Sequence, residues 1–571
     1  MNHNPSTTGA DAARPGFFGR VRSLDFLLLA LLMLFSASLA WPYLGNRGGS
    51  SEDGAMLLRY SQNVADGHGI VWNVGQPPVE GATDFFYMLA VAFAAKLTHH
   101  DAWIACRELL FCSWIALTGV IFAATRWTLR APALLAFALA LYVCGAGEGP
   151  YLQTFFGAPF MMLVVALTWW IGVALIAGRL KPTVTVSLAF SLLALTIGLT
   201  RPEGNVMAIL LLAAILFLLG LRATQRLILT FAAVFLVLGG TYFAWRWHYF
   251  GYPLPNPFYV KGGGHLHLAG LKRAIGNDIR ILWPAFPLAA LALRNAKRRR
   301  LLLALAIPLV GYSAIWILLT AENNHLMRFQ MPVLPVTLLF LPLLLEDVFV
   351  EMGFSWPQLL PSVRLGLTVA GCLYAVSCFV ELKELSPDSL PTSGREFATH
   401  LRQYQDRGYT MAVTEAGQFP YFSRWNAIDV LGLNDAYIAH HGLDESYLDR
   451  YKPELILYHL YIPEPSSNNP LQSDQDQINA RDFHSVRVLY QYAQHHHYVL
   501  AAAYGSEPCN LNVFWVRPNT PDTEAIVEYL RNTPYYFLDN GKISTDYRDG
   551  FKPFCTFPDL NAPPDAPITA P

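Results

Sequence analysis

Apolar residues in this chain gather into runs of about twenty, set apart by short polar stretches, as far as residue 382; beyond it the runs shorten and polar residues multiply. A helix of about twenty apolar residues spans the ~30 Å hydrocarbon core of a bilayer. The pattern predicts eleven spans, over residues 24–44, 103–125, 131–147, 155–178, 183–199, 204–221, 227–247, 279–294, 301–320, 330–346 and 363–382. The run from Phe85 to Leu97 is apolar but too short to cross, which predicts an interfacial or re-entrant helix. From about Ser393 the periodicity changes. A helix over Arg395 to Gln405, a strand over Thr410 to Thr414, a turn at Gly417, and apolar runs near Leu455 to His459, Tyr498 to Ala503 and Asn512 to Arg517 predict a small α/β domain. The Pro-rich end from Pro558 predicts disorder.

The predicted fold class is therefore a polytopic α-helical membrane protein of about eleven transmembrane helices, residues 1–382, followed by a C-terminal extracytoplasmic α/β domain, residues 383–571. Composition agrees: 53% of the 571 residues are hydrophobic, 14% are charged, and mean hydropathy is +0.31, too apolar for an ordinary soluble enzyme of this size. A formal net charge of -1 argues against a nucleic-acid partner, which needs clustered basic surface.

The basic residues instead report orientation. Arg14, Arg20 and Arg22 precede the first span, and Arg126 with Arg130, Arg179 with Lys181, Arg222 with Arg226, and the run Arg294 to Arg300 fall in alternate loops. Placing Lys and Arg inside gives one consistent path: N-terminus cytoplasmic, first span a retained anchor in the inner (plasma) membrane, and the long loop 45–101 outside with the C-terminal region. Cys106, Cys112, Cys144, Cys372 and Cys378 lie in apolar segments and read as small buried hydrophobes, while Cys509 and Cys555 could pair in the tail.

Polar groups cluster on the outer face. Glu52-Asp53 sits just beyond the first span at a helix start, where a carboxylate pair either complements the helix dipole or supplies a general base. Thr200-Arg201-Pro202-Glu203-Gly204 puts an arginine on the side where positive charge is disfavoured, which favours an anionic partner. Pro253, Pro255 and Pro257 predict an extended backbone that presents Lys261 to a phosphate, and His325 and Arg328 add a proton carrier and a further cation. His495, His496 and His497 are consecutive, cannot all face one metal, and read as a solvated run.

These residues, in this order, resemble the GT-C superfamily of membrane glycosyltransferases, particularly the group related to terminal arabinofuranosyltransferases. The matching text is Glu52-Asp53, Gly67-His68-Gly69-Ile70-Val71-Trp72-Asn73, Val79-Glu80-Gly81, Thr200 to Gly204, Leu254 to Lys261 and His325 to Arg328; Glu415 to Tyr421 and Ile428 to Asp435 look like the family's tail. The resemblance implies inverting transfer of a sugar, arabinofuranose, mannose or similar, from a polyprenyl-phosphate donor to an extracytoplasmic glycan, lipid or protein acceptor. It implies Asp53 as base with Glu52 assisting, Arg201, Lys261 and Arg328 on the donor phosphate, and Glu203, His325, Asn256 and Tyr259 as orienting residues. A divalent cation beside Glu52 and Asp53 is conceivable, but two adjacent carboxylates do not specify a metal. The rival readings are a flippase of lipid-linked saccharide, which predicts charges at mid-membrane depth and internal repeats, whereas the charges lie mainly at span ends and no repeat is seen, and a non-catalytic envelope assembly protein.

Overall fold

The computed structural model describes residues 21–44, 52–145, 151–152, 154–261, 266–286, 296–319, 324–351, 393–461, 473–507 and 510–532, with short stretches at 537–539, 542–544 and 559–566 and isolated residues 290 and 376. The membrane part is a bundle of apolar helices: α1 (Ser23–Ala40), α4 (Ala102–Ala123), α5 (Ala133–Cys144), α6 (Ala158–Ile176), α7 (Val184–Thr200) and α8 (Gly204–Leu219). α9 (Leu221–Val234) then runs through a π turn into α10 (Gly240–Phe250), and α13 (Ala296–Ala314) and α14 (Val333–Glu351) close the bundle. Among the described residues, five of these helical stretches are long and apolar enough to cross a membrane by themselves: Ser23–Tyr43, Ala102–Thr128, Ala158–Ile176, Leu221–Phe250 and Ala296–Ile317.

Local sequence sets where the helices begin and end. Asp101 caps α4 by accepting from Ile104 N at 3.0 Å, and Thr183 caps α7 by accepting from Val186 N. Gly220, at φ 80°, breaks the chain between α8 and α9, a conformation only glycine adopts without strain. Residues 279–285 differ from expectation: 279–282 finish α12 (Leu268–Leu282), an amphipathic helix that begins eleven residues before the predicted span, and Trp283–Ala285 form a 3-10 turn. The predicted span 363–382 lies outside the described residues.

One end of the bundle is basic. Asp25 in the first turn of α1 is buried and accepts from Arg126 Nε at 2.7 Å, so the start of α1 meets the end of α4. Arg300, near the start of α13, donates to the carbonyls of Phe217 and Leu218 at the end of α8.

At the opposite end lie α2 (Glu52–Ala65) and α3 (Phe85–Thr98), in the long loop. At 14 residues, α3 is about 21 Å long, short of a span as its sequence predicts. Over these helices sits a five-stranded sheet of order β2-β1-β3-β5-β4, from β1 (Thr410–Val413), β2 (Asn426–Asp429), β3 (Leu455–Tyr461), β4 (Val499–Glu507) and β5 (Asn510–Val516). β1 pairs parallel with β2 and β3; β5 pairs antiparallel with β3 and β4. The strand β2 and the long helix α19 (Ser473–His495) were not among the predicted elements; the sheet domain also holds α15 (Ser393–Leu401), α16 (Gln418–Ser423), α17 (Ala436–His441) and α18 (Glu445–Tyr451), while the short α11 (Asn256–Lys261) follows α10.

Loop and sheet share one core. Leu57, Leu58, Tyr60 and Trp72 belong to the same buried apolar cluster as Phe397, Trp425, Leu455 and Phe514. Asn73 completes the exposed edge of β2: its Oδ1 accepts from Ala427 N at 2.9 Å and its Nδ2 donates to Ala427 O at 3.0 Å, while Trp72 Nε1 donates to the same carbonyl. The Pro-rich end also corrects expectation. Residues 559–566 pack on α19, where Arg487 donates to Asp559 O and Gln491 to Leu560 O and Ala562 O, so backbone carbonyls satisfied by two long side chains order a segment whose composition predicted disorder.

Candidate active site

A cavity of about 330 Å³ opens between the bundle and the sheet, at the end remote from Arg126 and Arg300. Six charged side chains line it: Asp53 from the first turn of α2, Asp84 just before α3, Arg201 and Glu203 from the turn between α7 and α8, Lys261 at the end of α11, and Arg328. Five stood out in the sequence; they come from stretches up to 275 residues apart. Asp84 did not. Its signal was a lone carboxylate directly before the apolar run that begins at Phe85. It occupies the N-cap position of α3 without capping the helix, which leaves the carboxylate available to Arg201.

Arg328 Nη2 donates to Asp53 Oδ2 at 2.8 Å, and the guanidinium lies 3.6 Å from the Phe156 ring centroid. Arg201 is held by two carboxylates, Glu203 through Nε and Asp84 through Nη1 at 3.3 Å, and lies over the Phe329 ring. Lys261 has no ion pair among the described residues and lines the cavity near enough to Asp53 to act on its charge. Burial alone would raise the Asp53 pKa; Arg328, then Lys261, outweigh it and hold the group below the usual carboxylate range. For Asp84 burial wins over Arg201, and its pKa lies above that range.

Apolar walls complete the site, with Phe155, Phe156, Phe258, Trp316 and Phe329 among them. Lys261 reaches it differently from expectation: the three prolines do not keep the chain extended, since residues 256–261 form the short helix α11, with Pro257 in its first turn, where a missing N–H costs nothing.

Four sequence candidates fall outside the lining. Glu52 points to the sheet domain, where its Oε2 accepts from Gly417 N at 2.8 Å and Gln418 N at 2.9 Å. Burial and the neighbouring Glu415 push it up to about 8 against these two donors, and burial and Asp53 push Glu415 up to about 7. Asn256 is buried, with its N–H on Glu80 O and its Nδ2 on Gly432 O. Tyr259 packs against Tyr252 and His440. His325 is exposed and stacked parallel to Phe156, near enough to bias Asp53 electrostatically.

Among the described residues no group of three or more His, Cys, Asp or Glu is placed to hold a metal ion. Asp53 and Asp84 are each engaged by an arginine, so the donor set does not fit a resident divalent cation. Cys106 and Cys144 are buried as expected, whereas Cys112 is exposed; none of the three is in a disulfide, and Cys509 and Cys555 lie outside the described residues.

Comparison with known proteins agrees with the architecture. A family model described as a domain of unknown function, DUF8728, matches residues 388–523, the sheet domain. No curated protein sequence matches the chain. Among solved structures, ArnT from Cupriavidus metallidurans in the apo state superposes with a TM-score of 0.58 at 15% identity, over 86% of this chain and 98% of that one. The same protein bound to undecaprenyl phosphate gives 0.53 at 14% identity, over 77% and 93%. The arabinofuranosyltransferase AftD from Mycobacteria gives a looser 0.48 at 14% identity, over 89% of this chain and 40% of that one. The chain is a multi-pass membrane protein that shares its fold with ArnT.

Proposed function

We propose that the protein is an inverting glycosyltransferase that moves a sugar from a polyprenyl-phosphate donor to an extracytoplasmic acceptor, a glycan, lipid or protein. The observation that carries this reading is the convergence of Asp53, Asp84, Arg201, Glu203, Lys261 and Arg328 on one cavity of about 330 Å³. That volume lies at the small end for ligand sites and suits one sugar with its phosphate better than an oligosaccharide. In this reading Lys261 receives the donor phosphate because it is held in no ion pair among the described residues, with Arg201 and Arg328 lending support. The apolar rings seat the first isoprene units.

Asp53 is the base. Its carboxylate takes the proton of the acceptor hydroxyl as that oxygen bonds to the anomeric carbon; the bond from this carbon to the phosphate oxygen breaks, and its electron pair leaves with polyprenyl phosphate. The cations stabilise the charge that grows on that leaving group. Asp84 and Glu203 hold Arg201 in place, and Glu52 anchors the base-bearing helix to the sheet domain instead of assisting chemistry. The basic end of the bundle faces the cytoplasm of an inner membrane and the cavity faces outward, by the charge rule.

The test is transfer by purified protein from radiolabelled polyprenyl-phosphate mannose or arabinose. Asp53→Asn is expected to lower turnover by about 10²- to 10⁴-fold while donor binding persists. Undiminished product from that variant would overturn the assignment of the base, and no transfer from any polyprenyl-phosphate sugar would overturn the enzyme reading. A flippase would move labelled lipid across vesicles without consuming it.

A further inference from the structure

A second cavity, larger at about 870 Å³, lies at the other end of α2, enclosed by α2, the end of α3 and the sheet domain. Its floor is Arg59, 7% exposed. The guanidinium donates to the carbonyls of Trp72, Pro420 and Trp425 and to Asn73 Oδ1, and to no carboxylate among the described residues. A buried charge is ordinarily neutralised by a counter-ion, and neutral carbonyls orient the group without cancelling its field. Further cations come from three other elements: Lys96 at the end of α3, Arg424 after α16, and Arg402 after α15.

Against these four cations the cavity has three carboxylates. Asp101 is spent on capping α4, and Asp66 accepts from Gln62 at 2.9 Å and pairs only loosely with Arg424 at 3.7 Å. The wall thus carries a net positive charge of one, with His68, His99 and His100 supplying hydrogen-bond capacity. Nothing in the proposed transfer chemistry uses it.

We propose that this cavity binds a phosphate or carboxylate group carried by the acceptor, at least about 14 Å from the reacting hydroxyl, the rise along α2 from Asp53 to Gln62. The acceptor is then an anionic glycan or glycolipid that passes around α2, whose residues 57–63 are buried between the two cavities, and engages Arg424 and Arg402 while its hydroxyl reaches Asp53. This rests on the glycosyltransferase reading for the word acceptor, but the anion site itself does not.

The experiment is therefore a binding measurement. Full-length protein in phosphatidylcholine nanodiscs is titrated with glucose 6-phosphate and, separately, with glucose, followed by ³¹P line broadening and ligand-observed proton NMR. Lys261→Ala silences the first cavity. Phosphate-dependent binding is expected to survive that substitution and to weaken at least tenfold when Arg402→Gln and Arg424→Gln are added; Lys96→Gln, on an exposed position, gives a smaller loss without risk to the fold. Unchanged binding in all the second-cavity variants, or complete loss in Lys261→Ala alone, would overturn the site. Competition by phosphatidylglycerol in the disc would assign the cavity to a lipid headgroup and overturn the acceptor. Absence of sugar transfer with these binding results intact would remove the enzyme reading and leave the anion site standing.

Discussion

Lys261 and Glu52 divide the work at the residue scale. Lys261 forms no ion pair among the described residues, unlike Arg201 and Arg328, so in the proposed transfer its removal costs the donor phosphate its least encumbered partner without unmaking one of them. Lys261→Ala is expected to raise KM for the polyprenyl-phosphate donor by about tenfold or more, roughly the 1.5–3 kcal/mol of a charge-assisted hydrogen bond, while Tm stays within a degree or two. Steady-state kinetics over a donor series checks it; an unchanged KM would move the phosphate elsewhere. Glu52 titrates with the fold. Its folded value of about 8 stands above the ordinary 4.5, so between those limits the folded protein binds more protons than the unfolded chain. Stability contributed here is present at low pH and is lost as pH rises through about 8. Tm should therefore fall between pH 5 and 8, and Glu52→Gln, which still accepts from Gly417 and Gln418, should flatten that fall. A slope identical to wild type would place the titrating group elsewhere.

Elements explain why some of this was legible in sequence and some not. Apolar run length alone placed α1, α4 to α8, α9 with α10, α13 and α14, because a lipid-facing helix must be apolar for its whole length. Asp84 was illegible for the converse reason: a single carboxylate before a helix is ordinarily a cap, and only the packing of α7 against α3 brings Arg201 to it. The position of Tyr259 was not legible, because aromatic residues near a cation carry no direction, and one turn of α11 puts Lys261 in the cavity but Tyr259 on His440. The join between α2 and α16 is so close that it yields a sharp test. A Cβ on Gly417 would sit 2.2 Å from Glu52 O and 2.5 Å from its Oε2, whereas one on Gly276 in α12 meets nothing within 4 Å. Gly417→Ala should destabilise by about 1–3 kcal/mol through overpacking. Gly276→Ala should be neutral or stabilising by about 0.5–1 kcal/mol through helix propensity. Equal Tm shifts for the two variants would refute the close contact.

For the whole molecule the shared core decides whether membrane part and sheet domain are separable. The composition shift near residue 383 reads as a boundary between an anchor and an independent domain. The contacts point the other way: Trp72 and Asn73 hydrogen-bond the edge of β2, Arg59 donates to Pro420 and Trp425, Tyr421 Oη accepts from Trp103 N at the start of α4, and Glu52 takes two N–H groups of α16. Cutting the chain near residue 392 would uncover Leu57, Leu58 and Tyr60 on one piece and leave Ala427 unpaired at a sheet edge on the other, at roughly 1.5–3 kcal/mol for each large side chain newly exposed. A fragment of residues 393–571 is therefore expected to aggregate or melt without a cooperative transition, and residues 1–392 to lose transfer although Asp53, Asp84, Arg201, Lys261 and Arg328 are all still present. Co-expression of the two pieces should restore both. Calorimetry of the isolated fragment decides the matter: a cooperative transition at the temperature of the full chain would show that the domain folds by itself, and the sheet would then be an accessory to the active cavity instead of one of its walls.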